Sequence, residues 1–190
     1  MNELDPNGAP PAQATLPAKS SRRYALLATA TLAGLAGAGV AWWRFAPGTD
    51  VDLAGFWDRT FPTPEGPSLA LSSLRGRPLL INFWATWCPP CVEELPLLSA
   101  FYAENKANGW QLLGLAVDQP EPVKRFMVRT PIAFPVGMAG MAGVDLTRQL
   151  GNAAGGLPFT VVFGADGRLV DRKIGRVQPA DLARWKKQLT

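Results

Sequence analysis

Two cysteines, Cys88 and Cys91, are the only ones in the 190-residue chain, and they lie in Trp87-Cys88-Pro89-Pro90-Cys91. This Cys-x-x-Cys pair follows an apolar, strand-like run and opens a predicted helix. The unpaired N–H groups and the dipole of a helix N-terminus stabilise a thiolate on the first cysteine. That thiolate attacks a partner's disulfide, and the second cysteine resolves the mixed disulfide. We therefore predict Cys88 as the nucleophile, more exposed and more acidic than Cys91, the resolving thiol.

An inert disulfide between Cys88 and Cys91 is the alternative, since disulfides persist in exported proteins. A bridge across two intervening residues, however, closes too small a loop to constrain the unfolded chain much. The spacing therefore favours redox chemistry over structural stabilisation.

Composition excludes several other classes of site. The chain has no histidine, which removes Ser-His and Cys-His catalysis and histidine metal ligands. A structural zinc site needs four Cys or His ligands, and c-type haem attachment needs His where Val92 stands. We expect no metal and no cofactor beyond the redox-active disulfide. A net charge of +4 without a long basic run is no indication of nucleic-acid binding.

The elements that must position the dithiol alternate between strand and helix. The predicted strands are Ser68–Leu71, Leu79–Trp84, Trp110–Val117, Ile132–Val136, Phe159–Phe163 and Leu169–Ile174. The predicted helices run from Pro89 toward Asn105, ending near Asn108-Gly109, and over Glu121–Arg129, Asp145–Leu150 and Pro179–Leu189. Asp166-Gly167 is a hairpin signal between the last two strands. This order predicts an α/β fold with a mixed sheet sandwiched by helices.

The N-terminal part of the chain is predicted to anchor it. Residues 1–23 have the composition of a disordered tail. Tyr24–Trp43 carries no charged residue, and its length matches a hydrocarbon core of ~30 Å. Arg22 and Arg23 precede it, as the positive-inside rule requires for a cytoplasmic tail. We therefore predict a single-pass anchor over 24–46 in a bacterial inner membrane.

The proline-rich stretch 47–67 is predicted as a linker and irregular lead-in, followed by a folded domain over 68–190 in the periplasm or extracytoplasmic space. Two alternatives concern 24–46. Ala36-Gly37-Ala38 is a candidate processing site, which would make the segment a cleaved signal peptide. Arg22-Arg23 partly matches a twin-arginine signal, so the export route stays open.

The motif around the dithiol resembles one known superfamily. The segment 82–91, Asn-Phe-Trp-Ala-Thr-Trp-Cys-Pro-Pro-Cys, followed by Glu-Glu-Leu-Pro over 93–96, is similar to the thioredoxin superfamily. It most resembles the membrane-anchored TlpA/ResA-like thiol–disulfide oxidoreductases, over roughly residues 52–190. The resemblance implies a thioredoxin-like fold with a central insertion within Pro120–Gly151. It also implies exported protein thiols and disulfides as substrates, and a membrane electron donor of disulfide-reductase type.

The same resemblance assigns a loop opposite the dithiol. Gly156-Leu157-Pro158-Phe159-Thr160 is similar to the family's cis-proline loop, which implies a cis bond before Pro158 and a groove for the substrate backbone. An ordinary trans turn is the alternative. The resemblance places Trp87, Pro89, Pro90 and Leu157 around this groove.

Glu94, three residues after Cys91, stands where this group carries an acidic residue. A carboxylate there moves protons to or from Cys91 and raises the thiol pKa by like-charge repulsion. The alternative is a favourable charge in the first turns of a helix, and Glu93 is expected to face solvent. Asn82 replaces the buried Asp of thioredoxins themselves, which leaves proton handling to Glu94 or water. Trp84 is expected in the core.

The leading functional prediction is an enzyme that reduces disulfides in exported proteins, in cytochrome c or copper-site maturation or more generally. Pro90 fills the position where a strong oxidant such as DsbA has His, so a cation that stabilises the thiolate is missing and a low potential is expected. A thioredoxin-fold peroxidase is the second class, although its reactive Cys wants a Thr further upstream than Thr86. A non-catalytic binding module is the third.

Overall fold

The computed structural model describes residues 53–189. The predicted tail, the predicted anchor over 24–46 and the start of the predicted linker lie outside these residues. Within 53–189, none of the helices has both the length and the apolar character needed to cross a bilayer.

A mixed five-stranded sheet forms the centre of the domain. Its strands are β3 (Leu79–Trp84), β4 (Gln111–Ala116), β5 (Val136–Met138), β6 (Phe159–Phe163) and β7 (Leu169–Ile174), in the order β5-β4-β3-β6-β7. The strands β3, β4 and β5 are parallel, while β6 runs antiparallel to both β3 and β7. A separate antiparallel pair joins β1 (Thr60–Pro62) to β2 (Ser68–Ala70).

Within the described residues 53–189, the sheet is accompanied by four helices: α1 (Pro89–Asn105), α2 (Pro120–Arg129), α3 (Ala142–Gln149) and α4 (Pro179–Leu189). Short 3₁₀ turns lie at Leu71–Leu74 and Lys106–Asn108. Because successive strand residues point to opposite faces of the sheet, the side chains of β3 contribute to two buried clusters, one on each face. Leu80 packs with the first, which includes residues of α1, α2 and α4, and Ile81 with the second, which includes residues of α3. The sheet is therefore covered on both faces, as predicted.

The predicted linker is wrong from residue 53 onward. Phe56, Trp57 and Phe61 are buried in the second cluster, and the Phe56 ring stacks on Phe163 at 5.2 Å between centroids. Burial of three large aromatic side chains makes this segment part of the folded domain.

The predicted strand Ile132–Val136 is displaced to Val136–Met138. Phe134 instead packs against the Cα of Gly114, where an added Cβ would lie 2.9 Å from the ring. The ladder starts with the Gly114 N–H donating to the Pro135 carbonyl at 2.9 Å. The predicted insertion over Pro120–Gly151 contains α2, β5 and α3, and α3 begins at Ala142 rather than Asp145.

Candidate active site

The dithiol lies where β3 ends and α1 begins. After Trp84 the chain makes a short turn, and Cys88 is the N-cap of α1 in extended conformation, with φ −104° and ψ 100°. Cys88 and Cys91 form a disulfide with Cα atoms 5.3 Å apart. Cys88 is 5% exposed and Cys91 is fully buried. The order of exposure is therefore the one expected for an attacking and a resolving thiol.

The two prolines reduce the number of donors available to Cys88. An N-cap side chain accepts from the N–H of the second or third helical residue. Pro89 and Pro90 hold the first two positions of α1 and have no N–H. Cys91 supplies the third position, while the Val92 N–H donates to the Cys88 carbonyl at 3.1 Å. From the sequence we expected several unpaired helix N–H groups near Cys88. Of the two N–H groups that can cap the helix, only that of Cys91 is present among the described residues of this turn.

The loop before β6 lies at the same edge of the sheet. Because β6 pairs antiparallel with β3 through Phe83 and Phe159, the start of β6 is next to the end of β3. The Leu157–Pro158 bond is cis, the conformation that the resemblance implied. The Gly175 N–H donates to the Pro158 carbonyl at 2.9 Å. This hydrogen bond joins the loop to the segment after β7.

The other residues predicted for the groove differ in exposure. Trp87 is 63% exposed, so most of its side chain faces solvent. Pro89 and Pro90 are exposed, Leu157 is half-buried and Pro158 is buried. Trp84 is fully buried against Phe126, with ring centroids 5.5 Å apart, as expected for a core residue.

Glu94 is a buried carboxyl one helical turn beyond Cys91, and only 1% of the residue is exposed. The Asn82 amide donates to Oε1 at 2.7 Å, and the Val177 N–H donates to Oε2 at 2.6 Å. Burial raises the pKa of Glu94 from 4.5 to about 7, against the lowering effects of these two hydrogen bonds and of Arg176. A carboxyl with that pKa exchanges protons near neutral pH. Its burial is incompatible with a simple surface charge near a helix start.

The neighbouring Glu93 faces solvent, as predicted, and pairs with Arg176. Both side chains are well exposed, at 59% and 44%. This ion pair joins α1 to the same segment after β7 that donates to Glu94.

The hydrogen-bond partners of Glu94 were not predicted from the sequence. The Asn82 amide that donates to Glu94 also donates to Thr160 Oγ1 at 3.0 Å. Asn82 and Thr160 are fully buried and pair across β3 and β6. A polar residue in each of two otherwise apolar strands was the available signal. Their pairing depends on strand register, which the separate runs do not reveal.

A second buried carboxyl was also missed. Asp118, 8% exposed, follows β4 and accepts hydrogen bonds from both the N–H and the hydroxyl of Thr86. A polar residue directly after a buried parallel strand was the signal, because the ends of parallel neighbours meet at one edge of the sheet.

This fold, with a Cys-x-x-Cys pair at the end of a central strand and a cis-proline beside it, defines a member of the thioredoxin superfamily. The redoxin family profile matches residues 54–189. Thiol-disulfide oxidoreductase ResA of Bacillus cereus is 30% identical over 127 residues, covering 66% of this chain and 71% of the relative.

Two solved structures are also similar. A thiol:disulfide interchange protein of the thioredoxin family from Chlorobium tepidum TLS shares 31% identity with a TM-score of 0.60, covering 69% of this chain and 92% of the other. A thioredoxin-related protein from Neisseria meningitidis serogroup B shares 28% identity with a TM-score of 0.61, covering 69% and 98%. The chain belongs to the redoxin family, among the ResA/TlpA-like proteins of the thioredoxin superfamily. It is a thiol–disulfide oxidoreductase that acts on protein thiols and disulfides.

Proposed function

We propose that this oxidoreductase works outside the cytoplasm as a reductant of disulfides in exported client proteins. The observation that carries the proposal is a dithiol at the start of α1 with a proton-exchanging carboxyl one turn behind it. Cys88 and Cys91 supply the electrons, and Glu94 handles a proton. Apocytochrome c and copper-site proteins are the client classes for a dedicated reductant of this kind.

The reaction transfers two electrons from the dithiol to the client. The Cys88 thiolate attacks one sulfur of the client disulfide, whose other sulfur leaves as a thiolate and takes a proton from solvent. Cys91 then gives its proton to the Glu94 carboxylate and attacks Cys88 Sγ. The mixed disulfide breaks, the second client thiolate leaves, and the Cys88–Cys91 disulfide forms. A membrane donor of disulfide-reductase type returns the pair to the dithiol.

The direction of transfer follows from how poorly the site stabilises a thiolate. Pro89 and Pro90 remove two N–H groups beside Cys88. Above pH 7 the Glu94 carboxylate adds like-charge repulsion. Both effects favour the disulfide, while the helix dipole acts the other way. Equilibration with glutathione should give a potential near or below ~−200 mV, and a value near ~−120 mV would contradict the proposal.

The client's backbone is proposed to lie along the cis-proline loop. Pro158 and the half-buried Leu157 form one side of this groove, and the exposed Trp87, Pro89 and Pro90 form the other. An exposed Trp beside a dithiol supplies apolar contact area to a passing polypeptide.

The location outside the cytoplasm is supported by the sequence before the domain, where Arg22 and Arg23 precede a charge-free stretch over 24–43. A reporter fused after Thr190 tests this. Activity of a reporter that works only outside the cytoplasm is expected, and activity of a cytoplasm-only reporter would contradict it.

Partner capture tests the client and donor assignments. A Cys91→Ser variant expressed in cells retains the attacking thiol without the resolving one. It should therefore accumulate mixed disulfides through Cys88, and these identify both client and donor. The Cys88→Ser, Cys91→Ser double variant is the matched control. Equal capture by the control would exclude Cys88 as the attacking residue.

Peroxidase activity is disfavoured by the geometry of the turn. The Thr86 hydroxyl donates to Asp118 at 2.6 Å, so it is committed away from a peroxide site at Cys88. The reduced protein should consume insulin disulfides much faster than hydrogen peroxide. The reverse order would overturn the reductase proposal.

A further inference from the structure

The carboxyl of Asp118 binds the turn that carries the dithiol. Its Oδ2 accepts from the Thr86 N–H at 2.8 Å and from the Thr86 hydroxyl at 2.6 Å. Its Oδ1 accepts from the Gln119 N–H at 2.7 Å. Within residues 53–189 no ion pair includes Asp118. Three directed donors therefore surround this buried carboxyl in place of a cation.

Asp118 sits where it can control the path of the chain out of β3. The parallel strands β3 and β4 pair up to Trp84 and Ala116, and the Val117 N–H donates to the Trp84 carbonyl at 2.8 Å. The backbone ladder ends there, two residues before Thr86. From that point, Asp118 continues the attachment to β4 through a side chain.

Thr86 is two residues before Cys88. Trp87, which is 63% exposed, lies between Thr86 and Cys88. One hydrogen bond within the turn runs from the Cys88 N–H to the Ala85 carbonyl at 3.3 Å. Because a thiolate must approach a disulfide along a narrow direction, a small displacement of Cys88 Sγ lowers the rate.

We propose that Asp118 is a positioning residue for the nucleophile: by holding both donors of Thr86, it sets the direction in which Trp87 and Cys88 leave β3. These two hydrogen bonds from Thr86 to Asp118, called the clamp below, keep Cys88 Sγ at the N-terminus of α1 and beside the cis-proline loop. Asp118 acts through Thr86 and does not itself touch the client. This inference rests on the proposed role of Cys88 as the attacking thiol.

Substitutions at the two ends of the clamp separate position from stability. Thr86→Val keeps the shape and the backbone donor but removes the hydroxyl donor, whereas Thr86→Ser keeps the hydroxyl. Asp118→Asn keeps the size but turns an NH₂ group toward donors. Asp171→Asn is the matched control, because its carboxyl accepts from Trp185 Nε1 at 2.6 Å and pairs with Arg184, linking β7 to α4 away from the turn.

Two measurements are made on the full-length reduced protein: kcat/KM for insulin disulfides, and the free energy of unfolding in guanidinium. A third is the pH midpoint of alkylation in a Cys91→Ser background, where Cys88 is the one remaining cysteine. We expect Thr86→Val and Asp118→Asn each to lower kcat/KM about tenfold. Thr86→Val should also raise the alkylation midpoint, since Sγ leaves the helix N-terminus.

A double variant tests whether Thr86 and Asp118 act through the same hydrogen bond. The Thr86→Val, Asp118→Asn double variant should lose no more activity than the worse single variant, and Thr86→Ser should recover most of what Thr86→Val loses. Asp171→Asn should lower the unfolding free energy without moving the Cys88 midpoint.

The inference is overturned if Thr86→Val and Asp118→Asn lose stability only, as Asp171→Asn does. It is also overturned if their effects on kcat/KM simply add. If Asp118→Asn does not fold, Thr86→Val decides, because it retains the backbone half of the clamp. Failure of the wild type to reduce insulin, with the alkylation midpoint still raised by Thr86→Val, would sink the proposed function and leave this inference standing.

Discussion

The two buried carboxyls near the dithiol, Glu94 and Asp118, accept hydrogen bonds from different parts of the fold. Glu94, on α1, receives a hydrogen bond from an amide and from a backbone N–H that belong to distant elements. Asp118 receives three, two of them from Thr86 on the active-site turn itself. Glu94 thus lies one helical turn beyond Cys91, the proposed resolving thiol, while Asp118 binds the turn that leads to Cys88, the proposed attacking thiol.

The difference shows that the placement of donors decides what a buried carboxyl contributes. At Glu94 desolvation outweighs two hydrogen bonds and Arg176, so its pKa reaches about 7. In the proposed reaction, this carboxyl accepts the proton that Cys91 releases. At Asp118 both oxygens are occupied by donors of adjoining segments, so the group restrains the backbone.

The largest expected effect is on the pH dependence of stability. The pKa of Glu94 is higher in the folded state than the ordinary 4.5, so the native state binds this proton more tightly. The contribution of Glu94 is therefore most favourable below pH 4.5 and is lost as pH rises toward 7, by about 3 kcal/mol. Glu94→Gln should remove this slope in guanidinium unfolding of the oxidised protein between pH 4.5 and 8.

Glu93→Gln is the matched control, because the exposed Glu93 lies beside Glu94 on α1. It should leave the slope as in wild type. A Glu94→Gln variant that keeps the full slope would show that another group carries it, and the contrast between the two carboxyls would fail.

Removal of one donor to Glu94 has the next largest effect. Asn82→Ala deletes the hydrogen bond to Oε1, which helps to hold the pKa down. The pKa of Glu94 should then rise by about one unit, equivalent to about 1.4 kcal/mol. Carbon-13 NMR of the Glu94 carboxyl measures this directly.

Thr160→Val provides the comparison, since Thr160 accepts a hydrogen bond from the same Asn82 amide and, among the described residues, is not one of the hydrogen-bond donors to Glu94. Its effect on the Glu94 pKa should be smaller. An unchanged pKa in Asn82→Ala would mean that burial alone decides the pKa of Glu94.

The clamp at Asp118 should be independent of the proton site. Thr86→Val removes one hydrogen bond to a carboxyl and should cost about 1 kcal/mol of stability. The same NMR titration should leave the pKa of Glu94 at about 7. A clear change in that pKa would show that the two regions are coupled through α1, and would remove the distinction drawn between them.

The smallest effect is expected at Arg176. Its charge lowers the pKa of Glu94, but it is 44% exposed and screened by solvent. Arg176→Gln should raise the pKa by a fraction of a unit at low salt and less at high salt. Lys124→Gln, which removes another exposed cation in an ion pair, is the control. Equal shifts in both variants would indicate net charge rather than Arg176 itself.

The local sequence pattern was sufficient to predict the bounds of several elements. The strands Leu79–Trp84, Phe159–Phe163 and Leu169–Ile174 and the helix Pro179–Leu189 are as predicted. Each is a clear run with a Gly or Pro at or beside at least one of its ends, so its boundaries depend on neighbours in sequence. The dithiol could be predicted equally well, because Cys88 and Cys91 lie one helical turn apart in the sequence.

Elements that depend on packing were predicted wrongly. The strand Val136–Met138 contains Gly137, which weakens a strand pattern, and Phe61 packs against it from the N-terminal segment. Phe56 and Trp57 lie in a stretch whose prolines suggested a linker, yet their burial makes that stretch part of the core. Neither outcome can be read from the local sequence, because each follows from partners far along the chain.

The sequence by itself determined the chemistry: two cysteines at helical spacing after a buried strand, in a chain without histidine. Only the tertiary structure decided how that chemistry is tuned. The donors to Glu94 come from positions 12 and 83 residues away, and Thr86 meets Asp118 across 32 residues. Hydrogen bonds and desolvation act over a few ångströms, so they depend on which strands become neighbours, and strand order is a property of the whole fold.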